Sequence, residues 1–426
     1  MVSLLIALLL VLISSPGYSQ DSKKTLAKTK QHAIDLIRLP SLNNINLGSS
    51  FNDQATSLKR ENPWFIRVGY QPGWVIPTSN FIRGINANHK PIRSMQSLKF
   101  EVGLQTDGSQ DWHHDYNFPS YGIGFYTADF SSEEELGSPI GTYGFLSLPL
   151  LRLSESIDLT TDFGIGMAFG FKPFDPETNR FNRATGSSIT AYLDWGLYLN
   201  YLLSTKLAVA GGLSFTHFSN GRTREPNTGL NTLAPRVSLR YNFHQERKIL
   251  LRRNLTEFKP SWELLFAVSG GSKNISAITD TIELQQVDRR QTFGVANFST
   301  GIQRHFYRKG KLGGGIDVSY DGSTNARIDL TSDRHVVKSR GSAVERLNIG
   351  LFGGYEHIFH RFLLTTQLGY YVQRGRNDDR VPDLYQRFGF KFNLSNNIFA
   401  GINVRFIDFN RADYIEWTTG YRFKWF

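Results

Sequence analysis

The sequence predicts an all-β protein: a transmembrane antiparallel β-barrel of about sixteen strands, arranged as two eight-stranded repeats. Three observations point there. Apolar and polar residues alternate through most of the chain, so each strand offers one face to lipid and the other to a wet lumen. Beyond the opening residues, no apolar run reaches the length of a membrane-crossing helix. Short and long polar links largely alternate between the strand candidates, as turns and loops do at the two ends of such a barrel.

The elements follow in order. The chain opens MVSLLIALLLVLISSPGYSQ, an apolar run too soon broken by Ser and Pro to span a bilayer; residues 1–19 are expected to be a signal peptide. Residues 20–62 read as a polar periplasmic arm, with a short helix through Lys23–Arg38 ended by Pro40. The first repeat occupies residues 63–243, with strands starting near Phe65, Leu98, Tyr121, Ile140, Ile157, Ile189, Leu207 and Leu233. Its cleanest strand sets Ile157, Leu159, Phe163, Ile165, Met167 and Phe169 against Asp158, Asp162, Gly164, Gly166 and Ala168. A connector, 244–260, leads to the second repeat, 261–426, with strands near Trp262, Phe293, Leu312, Leu347, Phe362, Leu384, Ile398 and Ile415. Two links are long where the alternation calls for short ones: TDGSQDWHHDYNFPS and HQERKILLRRNLTEFKPS.

The halves repeat each other. GLSFTHFSN followed by RVSLRYNF returns as NVRFIDFNR followed by TTGYRFKWF, with Asp408 in the place of His217 and Asn410 in that of Ser219. The sixteen strands are expected to close as one barrel rather than two, because two barrels in one chain need two independent closures.

Composition removes other classes of function. With no cysteine, neither a disulfide framework nor a thiolate site is possible. The net charge of +11 suits an anionic membrane surface, such as one of lipopolysaccharide, better than nucleic acid in an exported chain. GIGMAFG is glycine at strand period and not a dinucleotide loop, since no helix follows. His113 and His114 have no third ligand at metal spacing, and no cofactor is called for. Asp158, Asp162 and Asp194 fall on the lumen face, where Lys or Arg partners are expected.

The most informative stretch is Leu207–Phe243, LAVAGGLSFTHFSNGRTREPNTGLNTLAPRVSLRYNF, two strands joined by a polar loop. Leu207, Val209, Leu213, Phe215, His217 and Ser219 share one face of the first strand. Asn231, Leu233, Pro235, Val237, Leu239 and Tyr241 share one face of the second. A His, a Ser and an Asn thus stand on an apolar face at the loop end of a hairpin, an odd place unless the substrate is itself apolar.

The HFSNGRTREPNTGLN segment resembles the PagL family of outer-membrane lipid A deacylases, whose motif is a His, a Ser two residues on, an Asn directly after, and a later Asn-x-Gly-x-acid. His217, Ser219, Asn220, Asn227 and Gly229 match that spacing. The resemblance implies His217 as general base, Ser219 as nucleophile, and Asn220 with Asn227 among the oxyanion donors; Arg222 and Arg224 would suit glucosamine phosphates. Two positions depart from the motif. Asn231 stands where the family carries its triad Glu, and the glycine after the Ser-Asn pair comes one residue early as Gly221, leaving Arg222 in its place. An Asn oxygen can still accept from the imidazole Nδ1–H and fix the tautomer, though it brings no charge to the imidazolium.

The reading is therefore an esterase of a Gram-negative outer membrane that removes an ester-linked acyl chain from lipid A, its oligomeric state left open. Its rivals are a phospholipase-like acyl hydrolase and a non-enzymatic porin or structural barrel with a vestigial site.

Overall fold

The alternation in the sequence becomes strand pairing. A computed structural model describes residues 64–243 and 255–426, apart from 279–287, 325, 329–336, 339–341, 375–382, 408 and 410. The expected signal peptide and arm, residues 244–254 of the connector, and Asp408 and Asn410 lie outside the described residues.

The first eight strands are β1 (Trp64–Val75), β2 (Ser94–Gln105), β3 (Ser120–Asp129), β4 (Gly137–Arg152), β5 (Ile157–Phe171), β6 (Ile189–Leu202), β7 (Leu207–Ser219) and β8 (Leu230–Asn242). A short helix α1 (Asp111–Asp115) lies between β2 and β3, and α2 (Glu133–Leu136) between β3 and β4. The second eight are β9 (Ser261–Ile278), β10 (Asp288–Tyr307), β11 (Gly310–Asp321), β12 (Leu347–Phe359), β13 (Phe362–Arg374), β14 (Leu384–Asn393), β15 (Ile398–Ile407) and β16 (Arg411–Trp425). Each starts within a few residues of the position the alternation predicts.

The expectation of one sixteen-stranded barrel is corrected. The chain closes twice, β1 to β8 as one barrel and β9 to β16 as another. In the first, β8 returns antiparallel to β1, pairing Phe65 with Asn242 and Val75 with Thr232. In the second, β9 pairs with β10 on one side and with β16 on the other, Trp262 opposite Trp425. The objection from two closing events fails because each closure is local: the first and last strands of a repeat are separated only by that repeat. Closure within eight strands also leaves a lumen that side chains can fill.

Both lumens are filled by ion pairs. In the first barrel, Arg67 meets Glu101 and, at 2.8 Å, Asp162; Arg236 joins Glu101 at 3.1 Å; Lys99 meets Asp194 at 2.6 Å. Asp158 accepts from Asn200 Nδ2 at 2.8 Å. In the second, Arg387 and Arg405 converge on Asp317 at 3.1 and 3.5 Å, and Lys391 meets Glu356 at 2.6 Å. Charges held this deep are stable only because each faces its opposite. The outer walls are apolar, with Val68, Phe125, Met167, Leu199 and Val237 exposed on the first barrel and Val268, Ile302, Leu351, Leu368 and Trp417 on the second.

Opposite the end that carries the β7–β8 loop, the long link after β2 has a structural reason for its length. It folds as α1 and docks on turns of the second barrel. Tyr116 Oη lies 3.0 Å from His357 Nε2, Trp112 stacks on His360 with ring centres 5.5 Å apart, and Arg308 reaches Asp111 and Asp115 at 3.0 and 3.1 Å. His113 accepts from Gly108 N–H at 3.1 Å, and burial pushes its pKa down to about 4, so it sits there as a neutral acceptor.

Candidate active site

Strand β7 is held from within. On its lumen face, Thr216 Oγ1 donates to Asp194 Oδ1 at 2.8 Å, and Ser214 Oγ accepts from the Gln71 amide. One step nearer the loop, Phe218 is buried among Tyr126, Phe130, Phe171 and Tyr192. With Ser214, Thr216 and Phe218 fixed inward, the period of two leaves Leu213, Phe215, His217 and Ser219 on the outer wall. Leu213 is exposed, Phe215 is buried, and His217 and Ser219 are half-buried.

The neighbouring strand brings Asn231 directly opposite His217 in the β7–β8 register. Nδ1 of His217 lies 2.6 Å from Oδ1 of Asn231. A carbonyl oxygen only accepts, so Nδ1 carries the proton and Nε2 presents its lone pair. Asn231 is itself buried, and its backbone oxygen accepts from Ile76 N–H at 2.8 Å, which ties it to the segment after β1.

Ser219 lies two residues beyond His217 on the same face. Among the described residues its Oγ is not hydrogen-bonded to the imidazole. Gly229 brings the two side by side: a methyl group on its Cα would stand 3.0 Å from His217 Cε1 and 3.7 Å from Ser219 Cβ. A methyl group there would crowd the imidazole, while its contact with Ser219 would be an ordinary one. Its φ of +72° also favours glycine.

The loop residues have mixed duties. Asn220 donates its backbone N–H to Asn227 Oδ1 at 2.9 Å and its Nδ2 to Arg224 O at 2.6 Å, so its amide holds the loop together. The Gly229 N–H donates to Ala184 O at 3.0 Å, fastening the β7–β8 loop to the β5–β6 loop. Arg222 pairs with Glu225, whereas Arg224 is exposed. Among the described residues, Asn227 Nδ2 makes no hydrogen bond, its Oδ1 being the atom that braces the loop. Residues that the sequence reading passed over are Phe218, whose burial aims its two neighbours outward, and Glu225, which takes Arg222; alternation alone hides both because each acts from outside the apolar face.

Residues 98–240 match the family model described as lipid A 3-O-deacylase (PagL), and residues 262–425 match the one described as acyloxyacyl hydrolase, C-terminal domain. Together the two matches span well over half of the chain. The chain belongs to the PagL family. In this PagL-family chain the first match covers β2 to β8 with the His-Ser-Asn wall, and the second covers β9 to β16. The crystal structure of the outer membrane enzyme PagL is 15% identical, covering 40% of this chain and 97% of its own, with a TM-score of 0.26. The translocator domain of the autotransporter NalP from Neisseria meningitidis is 9% identical, covering 95% of this chain and 97% of its own, with a TM-score of 0.21. No curated protein matches the chain.

Proposed function

We propose that this protein is an outer-membrane esterase that removes an ester-linked acyl chain from lipid A, the 3-O-linked one by the family's description. The observation that carries the reading is the 2.6 Å contact between His217 Nδ1 and Asn231 Oδ1 on the apolar outer wall of a closed barrel. It supports an oriented imidazole base on the same wall as Ser219, where a membrane lipid would present its acyl carbonyl. Ser219 Oγ attacks the ester carbonyl while Nε2 of His217 takes its proton. The same proton then passes to the leaving sugar oxygen, and water releases the acyl group from Ser219 by the reverse route. Asn227 Nδ2 is the oxyanion donor we favour, because Asn220 Nδ2 is already bonded to Arg224 O. Ser219 and His217 join once substrate excludes water, since such contacts are often long in the free enzyme.

The porin reading is disfavoured by lumens packed with buried ion pairs. A phospholipase-like activity is the closer rival, since it uses the same wall and chemistry. The test presents purified protein and a Ser219→Ala variant with lipid A and with phosphatidylethanolamine. Fatty acid released from lipid A by the unaltered protein alone is the expected result. Release from phosphatidylethanolamine instead would support the rival, and conductance without any release would support a non-enzymatic barrel.

A further inference from the structure

We infer that the second barrel forms the far wall of the groove that receives the acyl chain, with Ile415 and Trp417 selecting which chains reach Ser219. The inference rests on the deacylase reading and adds a specificity device to it. It begins at Gly221, two residues past Ser219, which is buried against the side chain of Ile415 on β16. A single methyl group at position 221 would overlap Ile415. The φ of +59° there favours glycine as well. The glycine that comes one residue early in the motif therefore has a physical reason: here the loop beside the nucleophile rests on another barrel.

From that contact each strand leads away from the loop end. On β7 the outward residues below Ser219 are His217, Phe215 and Leu213. On β16 the outward residues below Ile415 are Trp417 and Thr419. At a rise of about 3.4 Å per residue, Trp417 lies about 7 Å below Ile415, about as far as Ser219 lies below Gly221. Trp417 is 68% exposed and Leu213 54%, so each wall offers bare apolar surface, with Phe215 buried between His217 and Leu213 on β7. The strand next to β16 is small-sided there. Gly270 pairs with Trp417 and Ser272 with Ile415, which leaves a trough on β9 with the indole as its bank.

An acyl chain esterified at Ser219 has lipid on one side and this trough on the other. Its length and branching are thus felt by β16, which carries no part of the catalytic set. A methylene gained or lost against an apolar wall changes selectivity by about tenfold or more, so a wall of this kind is measurable.

The experiment offers the full-length protein an equimolar mixture of lipid A species differing only in the length of the scissile chain. The fatty acids released are compared by mass. Trp417→Ala is expected to shift the ratio of long to short chains released by about tenfold, and Ile415→Trp to shift it the opposite way. Phe423→Ala, on the same outer face of β16 but far from the loop, serves as the control for a general disturbance of that wall and is expected to leave the ratio alone. Equal ratios in all four proteins, each folded by heat-modifiable gel migration, would overturn the wall while leaving the deacylase reading intact. An unaltered protein that releases no fatty acid from any species would overturn both.

Discussion

The two barrels share an architecture and differ in what their walls carry. Each has eight antiparallel strands, a lumen of matched ion pairs and an apolar exterior. At the loop end they diverge. In the first barrel, ten residues separate β7 from β8, enough for Asn220 and Asn227 to brace a loop over His217 and Ser219. In the second, the corresponding strands β15 and β16 are joined through residues 408–410 alone. A link that short has no room for an Asn-braced loop. The scaffold is therefore silent about chemistry, and the proposed site belongs to one hairpin and the loop that closes it.

That contrast can be broken most severely at His217. His217→Ala is expected to lower the turnover of lipid A by about a thousandfold or more, since base and nucleophile act as a unit. His357→Ala, a histidine change in the second barrel, is expected to leave turnover within about twofold. Initial rates on purified protein decide it, and comparable losses would make the two barrels functionally alike.

The likeness of the barrels is sharpened by their buried arginines. Arg236→Met leaves Glu101 without one of its cations, and Arg405→Met does the same to Asp317. Each is expected to destabilise its own barrel by about 3 to 5 kcal/mol. Heat-modifiable migration of each half after cleavage in the connector would read the two separately. A large effect in one barrel and none in the other would show that only one lumen depends on ion pairing.

A smaller effect is expected at Asn231. Asn231→Asp keeps the acceptor for Nδ1–H and adds the charge that stabilises an imidazolium, so kcat is expected to rise by about tenfold. A fall in kcat with unchanged folding would mean that the buried wall does not tolerate the charge.

The smallest effect lies where the barrels dock. His113 has its pKa pushed down to about 4 by burial, against an ordinary value near 6.5. In that interval the unfolded form binds the extra proton and the docked form does not, so the dock is weakened as pH falls from 6.5 towards 4. Hydrogen exchange in α1 is expected to quicken over that window in the unaltered protein, and less in His113→Gln. Identical pH profiles would place the sensitivity elsewhere.

Much of this was legible in the sequence because a strand's period is short and rigid. Ile157 through Phe171 declares its faces by composition alone, and the same rule set His217, Ser219 and Asn231 on one wall. The number of barrels was not legible, because alternation fixes which way a side chain points and says nothing about where an edge finds its partner. Phe65 opposite Asn242 is a contact between distant parts of the chain that neither residue advertises. Gly221 against Ile415 was hidden for the same reason, and so was the docking of Trp112 and Tyr116. The resemblance implies the loop asparagines as oxyanion donors, but a shared motif cannot tell which amide hydrogens the loop itself will take. Asn220 is the example.

One measurement bears most directly on the claim that a single outer wall of the first barrel deacylates lipid. Lipid A is extracted from cells of one strain expressing either the unaltered protein or Ser219→Ala and weighed by mass spectrometry. Lipid A lighter by one acyl chain with the unaltered protein, and fully acylated lipid A with the variant, is the expected result. The same acylation pattern in both would contradict it.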